Sequence, residues 1–316
     1  AVRSSAPAED LPDASFAGQQ ETYLNIKGYK SVVENVQKCW ASLFESRAIF
    51  YRSEKGFNHF KVGIAVPVQL MIQSEVSGIM FTVNPLTNNR DEISIEAAFG
   101  LGQPVVSGEV TPDQYIVQKN TNEISWKNFS KQKWQMTIDG NVPVSKAYQE
   151  KQKLDDAYVI DLAKLGKHIE DHYGRPQDIE WGLENKKLYI VQSRPVTTLT
   201  NQDNLTQVNV VDPQKHGKLL LEGLGASPGV VSGPVKIVGS AKEISKVKEG
   251  DILVAVMTNP DYVPAMKRAV AILTDEGGRT SHAAIVSREL GLPAVVGSVH
   301  ATKILKNGEI ITVDGS

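Results

Sequence analysis

The strongest constraint on the fold is a run near the C-terminus in which a strand, a glycine-containing loop and a helix follow one another directly. The segment VAILTD is typical of a buried strand, EGGR of a loop, and SHAAIVSREL of a helix that ends at Gly291. Thr280 or Ser281 is a suitable N-cap, which places His282 in the first helical turn. The sequence therefore predicts a mixed α/β domain with an imidazole at the start of a helix.

That position has chemical consequences for His282. The free N–H groups and the positive end of the helix dipole disfavour an imidazolium and favour an anion beside the ring. Gly277 and Gly278 allow neighbouring backbone N–H groups to form a concave anion nest. A neutral imidazole beside such a nest is suited to accepting a phosphoryl group. A histidine at a helix start is more often a capping or packing residue, so the residues alone leave both interpretations open.

Composition narrows the class of protein. The chain has 316 residues, 41% of them hydrophobic, which favours two domains over one. Its net charge is −2, with no run rich in Lys and Arg, so a nucleic-acid partner is not expected. No apolar segment approaches the roughly 20 residues of a membrane-spanning helix, and no signal pattern begins the chain. The single cysteine, Cys39, is expected to be buried, and we expect a cytoplasmic protein without a membrane partner.

The order of patterns along the chain predicts several elements. Helical spacing covers residues 22–55, with an apolar face formed by Val33, Val36, Trp40, Leu43 and Phe44. The β-branched runs within 62–83 predict strands, short strands are expected within 115–138, and residues 147–173 return to helical spacing.

Two further features concern metal binding and domain organisation. His168 and His172 have a spacing that could bind a metal, but without a third ligand they are read as ordinary surface histidines. A polar stretch from Thr197 to His216 is read as a linker, and a compact second domain begins near Leu219.

A second polar cluster is expected before that linker. Strand alternation places Asp178 and Glu180 on one face, and Gln192 and Arg194 on one face of the next strand. If ENKK turns the chain, Glu180 falls nearly opposite Gln192. Carboxylate and amide oxygens suit Mg²⁺, and arginine suits phosphate, although a solvent-facing polar hairpin would look the same.

The segment GGRTSHAAIVSRELGLPAVVG resembles the phosphohistidine signature of the phosphoenolpyruvate-utilising enzymes. The resemblance implies a swivelling β/β/α domain in which His282 is transiently phosphorylated. It also implies that Thr280, two residues before the histidine, is a candidate for regulatory phosphorylation, although a role as N-cap explains it equally well.

Four segments resemble, in order, the ATP-grasp nucleotide-binding domain of the same family: AVRSSAPAEDLPDASFAGQQETYLN, EVSGIMFTVNP, EAAFGLGQPVVSGEVTPDQY and DIEWGLENKKLYIVQSRP. The resemblance implies that Arg3 and Arg194 contact the phosphates of ATP, and that Asp178 assists them. It implies that Glu180 and Gln192 hold Mg²⁺. Glu96 is a weaker candidate for the nucleotide site.

The implied domains are an incomplete ATP-grasp domain over 1–198, a linker over 199–218 and the phosphohistidine domain over 219–316. Within the family, a synthase is expected, which converts ATP, pyruvate and water to AMP, phosphoenolpyruvate and phosphate. The chain is then the middle of a longer protein whose C-terminal barrel binds pyruvate and phosphoenolpyruvate. A dikinase, a rifampin phosphotransferase and a non-catalytic phosphocarrier remain alternatives, and a homo-oligomer is left open.

Overall fold

The computed structural model describes residues 1–5, 10–11, 14–15, 22–45, 48–49, 52–53, 56–196, 218–279 and 281–316. The chain forms two compact units, residues 1–73 and 74–316. The expected linker over 199–218 lies outside the described residues except for Lys218, and so does Thr280. No helix of the described segments has both the length and the apolar character needed to cross a bilayer.

The described residues of the first unit include four two-residue strands and the helix α1: β1 (Val2–Arg3), β2 (Asp10–Leu11), β3 (Ala14–Ser15), β4 (Thr22–Tyr23) and α1 (Tyr29–Ser42). Strands β1 and β4 pair antiparallel, as do β2 and β3.

The helix predicted within 22–55 is present over Tyr29–Ser42, but of the expected apolar face only Leu43, directly after the helix, is buried. The buried side chains of α1 are Asn35, Cys39 and Ser42, whereas Val33 and Trp40 are exposed. Helical periodicity identifies a face, but which face is covered depends on what the rest of the fold places beside it. Cys39 is buried as expected.

The prediction of a strand over 62–72 is wrong, because this segment does not form a continuous strand. This segment pairs with the N-terminus only at two isolated bridges, Val2 with Val68 and Ser5 with Ala65. The register places Pro67 between them, where its carbonyl accepts a hydrogen bond from the Arg3 N–H at 3.0 Å. Because proline has no N–H to return, a continuous ladder cannot form.

The second unit contains fourteen strands, five helices and two short 3₁₀ helices among its described residues. In chain order these are β5 (Val76–Phe81), β6 (Glu92–Phe99), α2 (Gln103–Val106), β7 (Asp113–Gln118), β8 (Ile124–Asn128), β9 (Trp134–Thr137), β10 (Gly140–Pro143), α3 (Asp156–Tyr173), β11 (Gln177–Glu184), β12 (Lys187–Pro195), β13 (Leu224–Ser227), β14 (Val230–Ile237), a 3₁₀ helix (Ala241–Lys246), β15 (Ile252–Ala255), a 3₁₀ helix (Pro260–Tyr262), α4 (Val263–Met266), β16 (Ala271–Thr274), α5 (His282–Leu290), β17 (Ala294–Val296), α6 (Ala301–Ile304) and β18 (Ile310–Asp314).

The first large sheet has the order β12-β11-β5-β6-β7-β8, and every neighbouring pair in it is antiparallel. One face packs on α3, with Val159 and Leu162 of the helix buried against Met80, Ile95 and Ile179. Because side chains alternate along each strand, the face opposite α3 carries the remaining side chains, including the polar side chains of the candidate site. The strands predicted within 115–138 are present as β7, β8 and β9.

The second sheet has the order β13-β17-β16-β15-β14-β18 and is parallel from β14 to β17. Its central strands are short apolar runs buried on both faces, as parallel strands usually are. Leu253 and Ile272 pack toward α4 and α5 on one face, and Val254 and Leu273 pack toward the α6 side. The mixed α/β class predicted from the sequence is confirmed.

Candidate active site

The structure places His282 at the first position of α5, as predicted. Strand β16 is fully buried, and Ser281 is the N-cap of the helix, with φ −63° and ψ 161°. The first helical hydrogen bond runs from the Ile285 N–H to the Ser281 carbonyl at 3.0 Å. The amides of residues 282–284 precede it, and first-turn amides have no acceptor within a helix. The ring therefore lies beside the end of a helix at which N–H donors collect.

The ring of His282 is only partly exposed and has a partner that the sequence did not indicate. Nδ1 lies 2.9 Å from Oγ1 of Thr258, a residue that is 2% exposed. Burial lowers the pKa of His282 to about 4, so the imidazole is neutral near pH 7. The structure thus supplies an uncharged ring held at one of its two nitrogens.

Thr258 is found only through the fold. It follows β15, the parallel neighbour of β16, and parallel strands end at the same edge of a sheet. In the sequence it lies 24 residues before His282, in VMTNP, which indicates only a turn. Neighbouring parallel strands are the one signal that could have drawn attention to it.

The loop that joins β16 to α5 is described over residues 275–279 and at Ser281, and it is named the histidine loop. It requires glycine at two positions. Gly277 has φ +104°, a conformation that other residues rarely adopt. A Cβ on Gly278 would lie 2.9 Å from Oε1 of Glu96 and 2.9 Å from Cδ of Pro112. The backbone of the loop thus contacts β6 and the segment before β7.

A polar hairpin lies on the first sheet. Strands β11 and β12 pair so that Glu180 is opposite Gln192, as the sequence predicted, and Asp178 is opposite Arg194. Oδ2 of Asp178 lies 2.8 Å from Nη2 of Arg194 and accepts a hydrogen bond from its Nε at 2.9 Å. The carboxylate thus holds the guanidinium in one orientation.

From this hairpin a row of polar side chains, the polar row, continues across the first sheet and consists of Gln192, Glu180, Glu96 and Gln114. Glu180 is opposite Ile79, Ile79 is opposite Glu96, and Glu96 is opposite Gln114. Directly opposed residues share a face, so Gln192, Glu180, Glu96 and Gln114 all point to the same side. Gln114 donates a hydrogen bond from Nε2 to Oε1 of Glu96 at 3.0 Å, and both side chains are buried.

The histidine loop and the polar row therefore meet. Gly278 contacts Glu96 within the row, and a Cβ on Gly108 would lie 3.0 Å from the Cβ of Ser281. The negative charge of Glu96 acts on both Arg279 and Arg288, which flank His282 in sequence. One face of the first sheet thus carries the carboxylate and amide groups and receives the loop that holds the histidine.

Arg3 belongs to the first unit, where it pairs with Thr22 in the β1–β4 ribbon. The other five predicted site residues lie in the second unit.

His168 and His172 are exposed on α3, and within the described ranges no three or more His, Cys, Asp or Glu side chains form a group that could hold a metal. The expected Mg²⁺ ligands, the carboxylate of Glu180 and the amide of Gln192, do not form such a group, because only one of the two is a His, Cys, Asp or Glu side chain.

Comparison with known domains is consistent with this arrangement. Residues 1–215 match the family described as pyruvate phosphate dikinase, AMP/ATP-binding domain. The chain belongs to this family. Residues 247–316 match a second family, the PEP-utilising enzyme, mobile domain. The polar sheet face lies within the AMP/ATP-binding domain, and His282 lies within the mobile domain.

Similar full-length proteins are known from several organisms. The chain is 57% identical over 329 residues to the probable phosphoenolpyruvate synthase of Pyrococcus abyssi, covering 100% of this chain and 40% of that protein. It is 56% identical over 321 residues to the probable phosphoenolpyruvate synthase of Archaeoglobus fulgidus, covering 100% of this chain and 42% of that protein. It is 45% identical over 338 residues to the phosphoenolpyruvate synthase of Aquifex aeolicus, covering 99% of this chain and 40% of that protein. The chain thus spans well under half the length of these relatives.

Proposed function

We propose that this chain carries the ATP-binding and phosphocarrier parts of a phosphotransferase of the phosphoenolpyruvate synthase type. The reaction converts ATP, pyruvate and water to AMP, phosphoenolpyruvate and phosphate. The observation that carries the proposal is the approach of the histidine loop to the polar face of the nucleotide-domain sheet, where Gly278 contacts Glu96. The names of the similar proteins agree with this reaction.

His282 acts as the nucleophile. When Nδ1–H donates to Oγ1 of Thr258, the lone pair resides on Nε2, which attacks the β-phosphorus of ATP. The bond from that phosphorus to the oxygen of the α-phosphate breaks, AMP leaves, and a pyrophosphoryl group remains on Nε2. Water then releases the terminal phosphate, and the remaining phosphoryl group passes to the enolate oxygen of pyruvate.

Glu180 and Gln192 fit Mg²⁺, because a carboxylate and an amide oxygen stand directly opposite each other on adjacent strands. When bound there, the ion neutralises charge on the phosphate oxygens. Glu96, buried in the same row, is the weaker candidate for this site.

Arg194 binds phosphate oxygens of ATP, and Asp178 keeps its guanidinium in position through the contacts to Nε and Nη2. Arg3 contributes a second guanidinium to the phosphates in this proposal. Such donors stabilise the charge that develops on the transferred group.

The proposed domains are the nucleotide-binding domain over 1–198, a linker over 199–218 and the phosphohistidine domain over 219–316. A tethered domain can carry His282 between two sites at high effective concentration. The second site, for pyruvate and phosphoenolpyruvate, belongs to a barrel in the longer protein. Because the substrate is ATP, the proposed location is the cytoplasm, and a homo-oligomer and regulation through Thr280 are compatible with the proposal.

Labelling with Mg-ATP tests the proposal. We expect an acid-labile phosphoryl group that intact-protein and peptide mass spectrometry place on His282 and that His282→Ala abolishes. The matched control, His168→Ala, removes an exposed histidine of α3 and should keep the label.

Persistence of the label in His282→Ala would overturn the assignment of the histidine. Label that appears only with phosphoenolpyruvate and an added barrel domain would make the chain a passive carrier, which contradicts its proposed part in the reaction with ATP.

A further inference from the structure

We propose that Arg279 and Trp126 form a docking pair that holds the histidine loop on the first sheet and so favours the reaction of His282 with ATP. The pair joins the proposed carrier domain to the proposed nucleotide domain. The inference rests on the proposed function for its consequence, but the docking itself can be measured without any phosphoryl transfer.

The contact is a cation over an aromatic face. The guanidinium carbon of Arg279 lies 5.4 Å from the ring centroid of Trp126, within the range of a cation–π interaction. Trp126 belongs to β8, the edge strand of the first sheet, and is opposite Ile116 of β7. Since Ile116 is two residues from Gln114, the tryptophan lies on the same face as the polar row.

Arg279 is held in place from its own side. Its Nε donates to the carbonyl of Gly225 in β13 at 3.1 Å. Arg288 donates from Nε to the carbonyl of Ala226 at 2.8 Å, and from Nη2 to the carbonyl of Arg279 itself. Because the side chain and its backbone are both fixed, stacking on Trp126 costs little additional conformational entropy.

Charge reinforces the contact. Burial lowers the pKa of Arg279, and the nearby carboxylate of Glu96 acts on that pKa in the opposite direction. A partly desolvated cation is attracted more strongly to an aromatic face than an exposed one. Trp126 remains 40% exposed, so the pair forms at the rim of the contact and can open without uncovering a large apolar surface.

These properties suit a carrier domain that must dissociate from the nucleotide domain after His282 has reacted with ATP. A contact made only in the docked state increases the fraction of molecules in which His282 lies at the nucleotide domain, and it does not contribute when His282 delivers its phosphoryl group elsewhere. The pair is therefore a positioning device that acts through His282 and not a group that touches the reacting atoms.

The experiment is a double-mutant cycle on the full chain, with Arg279→Met, Trp126→Leu and the combined variant, and with Trp126→Phe as the conservative change. The first readout is hydrogen–deuterium exchange of residues 107–112, which face the histidine loop through Gly108 and Pro112. The second is the rate of His282 phosphorylation by Mg-ATP. Lys127→Ala is the matched control from the same strand, since it removes an exposed ion pair to Asp156 and a contact with the ring of Phe129 but leaves Trp126 and Arg279 unchanged.

We expect Trp126→Leu and Arg279→Met each to increase exchange of 107–112 and to slow phosphorylation about five- to thirtyfold, the range of a cation–π contact. The combined variant should be no worse than either single variant, because the two side chains act as one pair. Trp126→Phe should retain most of the rate, and Lys127→Ala should match the parent.

Additive effects in the cycle, or unchanged exchange of 107–112 in both single variants, would overturn the docking pair. If the parent chain takes no label from Mg-ATP, the proposed function fails, while the exchange measurements still decide whether the pair holds the loop.

Discussion

The chemistry of His282 depends both on the local sequence and on the tertiary fold. Its place at the start of α5 follows from local sequence, because Ser281 ends the loop and the apolar spacing begins immediately afterwards. Its lowered pKa and its hydrogen bond to Thr258 come from the fold. The first property supplies the amide donors, and the second keeps a lone pair available at neutral pH.

The buried ring makes stability depend on pH. Burial lowers the pKa of His282 from 6.5 to about 4, so between these values the unfolded chain binds a proton that the folded chain does not. The free energy of unfolding should therefore fall as the pH decreases through this window, with His282 contributing about 2 kcal/mol between roughly pH 7 and pH 5. Urea unfolding of the parent and His282→Gln at both pH values measures this contribution.

The difference in unfolding free energy between the two pH values should shrink by that amount in His282→Gln. His168→Gln, which changes an exposed histidine, should keep the slope of the parent. An equal slope in the parent and His282→Gln would contradict a lowered pKa.

At the scale of elements, the β11–β12 hairpin sets the register of the proposed metal ligands. The turn consists of Asn185 at φ 51° and Lys186 at φ 63°, which is the two-residue turn that matches the twist of the flanking strands. A slip of one residue would move Glu180 to the opposite face of the sheet. The turn therefore determines where the carboxylate points.

Lys186→Gly should stabilise the protein. A non-glycine residue at positive φ costs about 1 kcal/mol, so glycine should raise the free energy of unfolding by roughly 0.5–1 kcal/mol. Urea denaturation measures the change. Lys187→Gly, at the first position of β12, should instead destabilise, and a loss of stability in Lys186→Gly would contradict the turn geometry.

At the scale of the second unit, the histidine loop is one place at which two sheets with different hydrophobic patterns meet. The first sheet carries the polar row on the face opposite α3, beside a smaller apolar cluster that includes Ile79 and Phe81, whereas the second sheet buries both faces because its central strands are parallel. The histidine loop contacts the first sheet, and a Cβ on Gly278 would lie 2.9 Å from Oε1 of Glu96.

Gly278→Ala should prevent close docking while leaving both domains folded. The added Cβ would lie 2.9 Å from Oε1 of Glu96 and from Pro112, closer than side chains tolerate. We expect phosphorylation of His282 by Mg-ATP to fall at least tenfold and exchange of 107–112 to increase, by mass spectrometry. Gly63→Ala, whose added Cβ meets no atom within 4 Å, is the control, and parent-like rates in Gly278→Ala would argue against this approach.

The sequence by itself determined the local elements of the candidate site. It predicted α5 and its end at Gly291, the buried strand before it and the pairing of Glu180 with Gln192, because caps, turns and alternation act over a few residues. It did not predict that α1 would bury Asn35 and expose Trp40, since the covered face depends on distant segments.

Only the tertiary structure decided which distant groups meet. The contact of Thr258 with His282, of Gly278 with Glu96 and of Arg279 with Trp126 joins residues that local patterns cannot relate. The physical reason is that periodicity fixes the direction of a side chain within its own element. Its partner is fixed by the packing of whole sheets, which bury apolar faces wherever the complete chain allows.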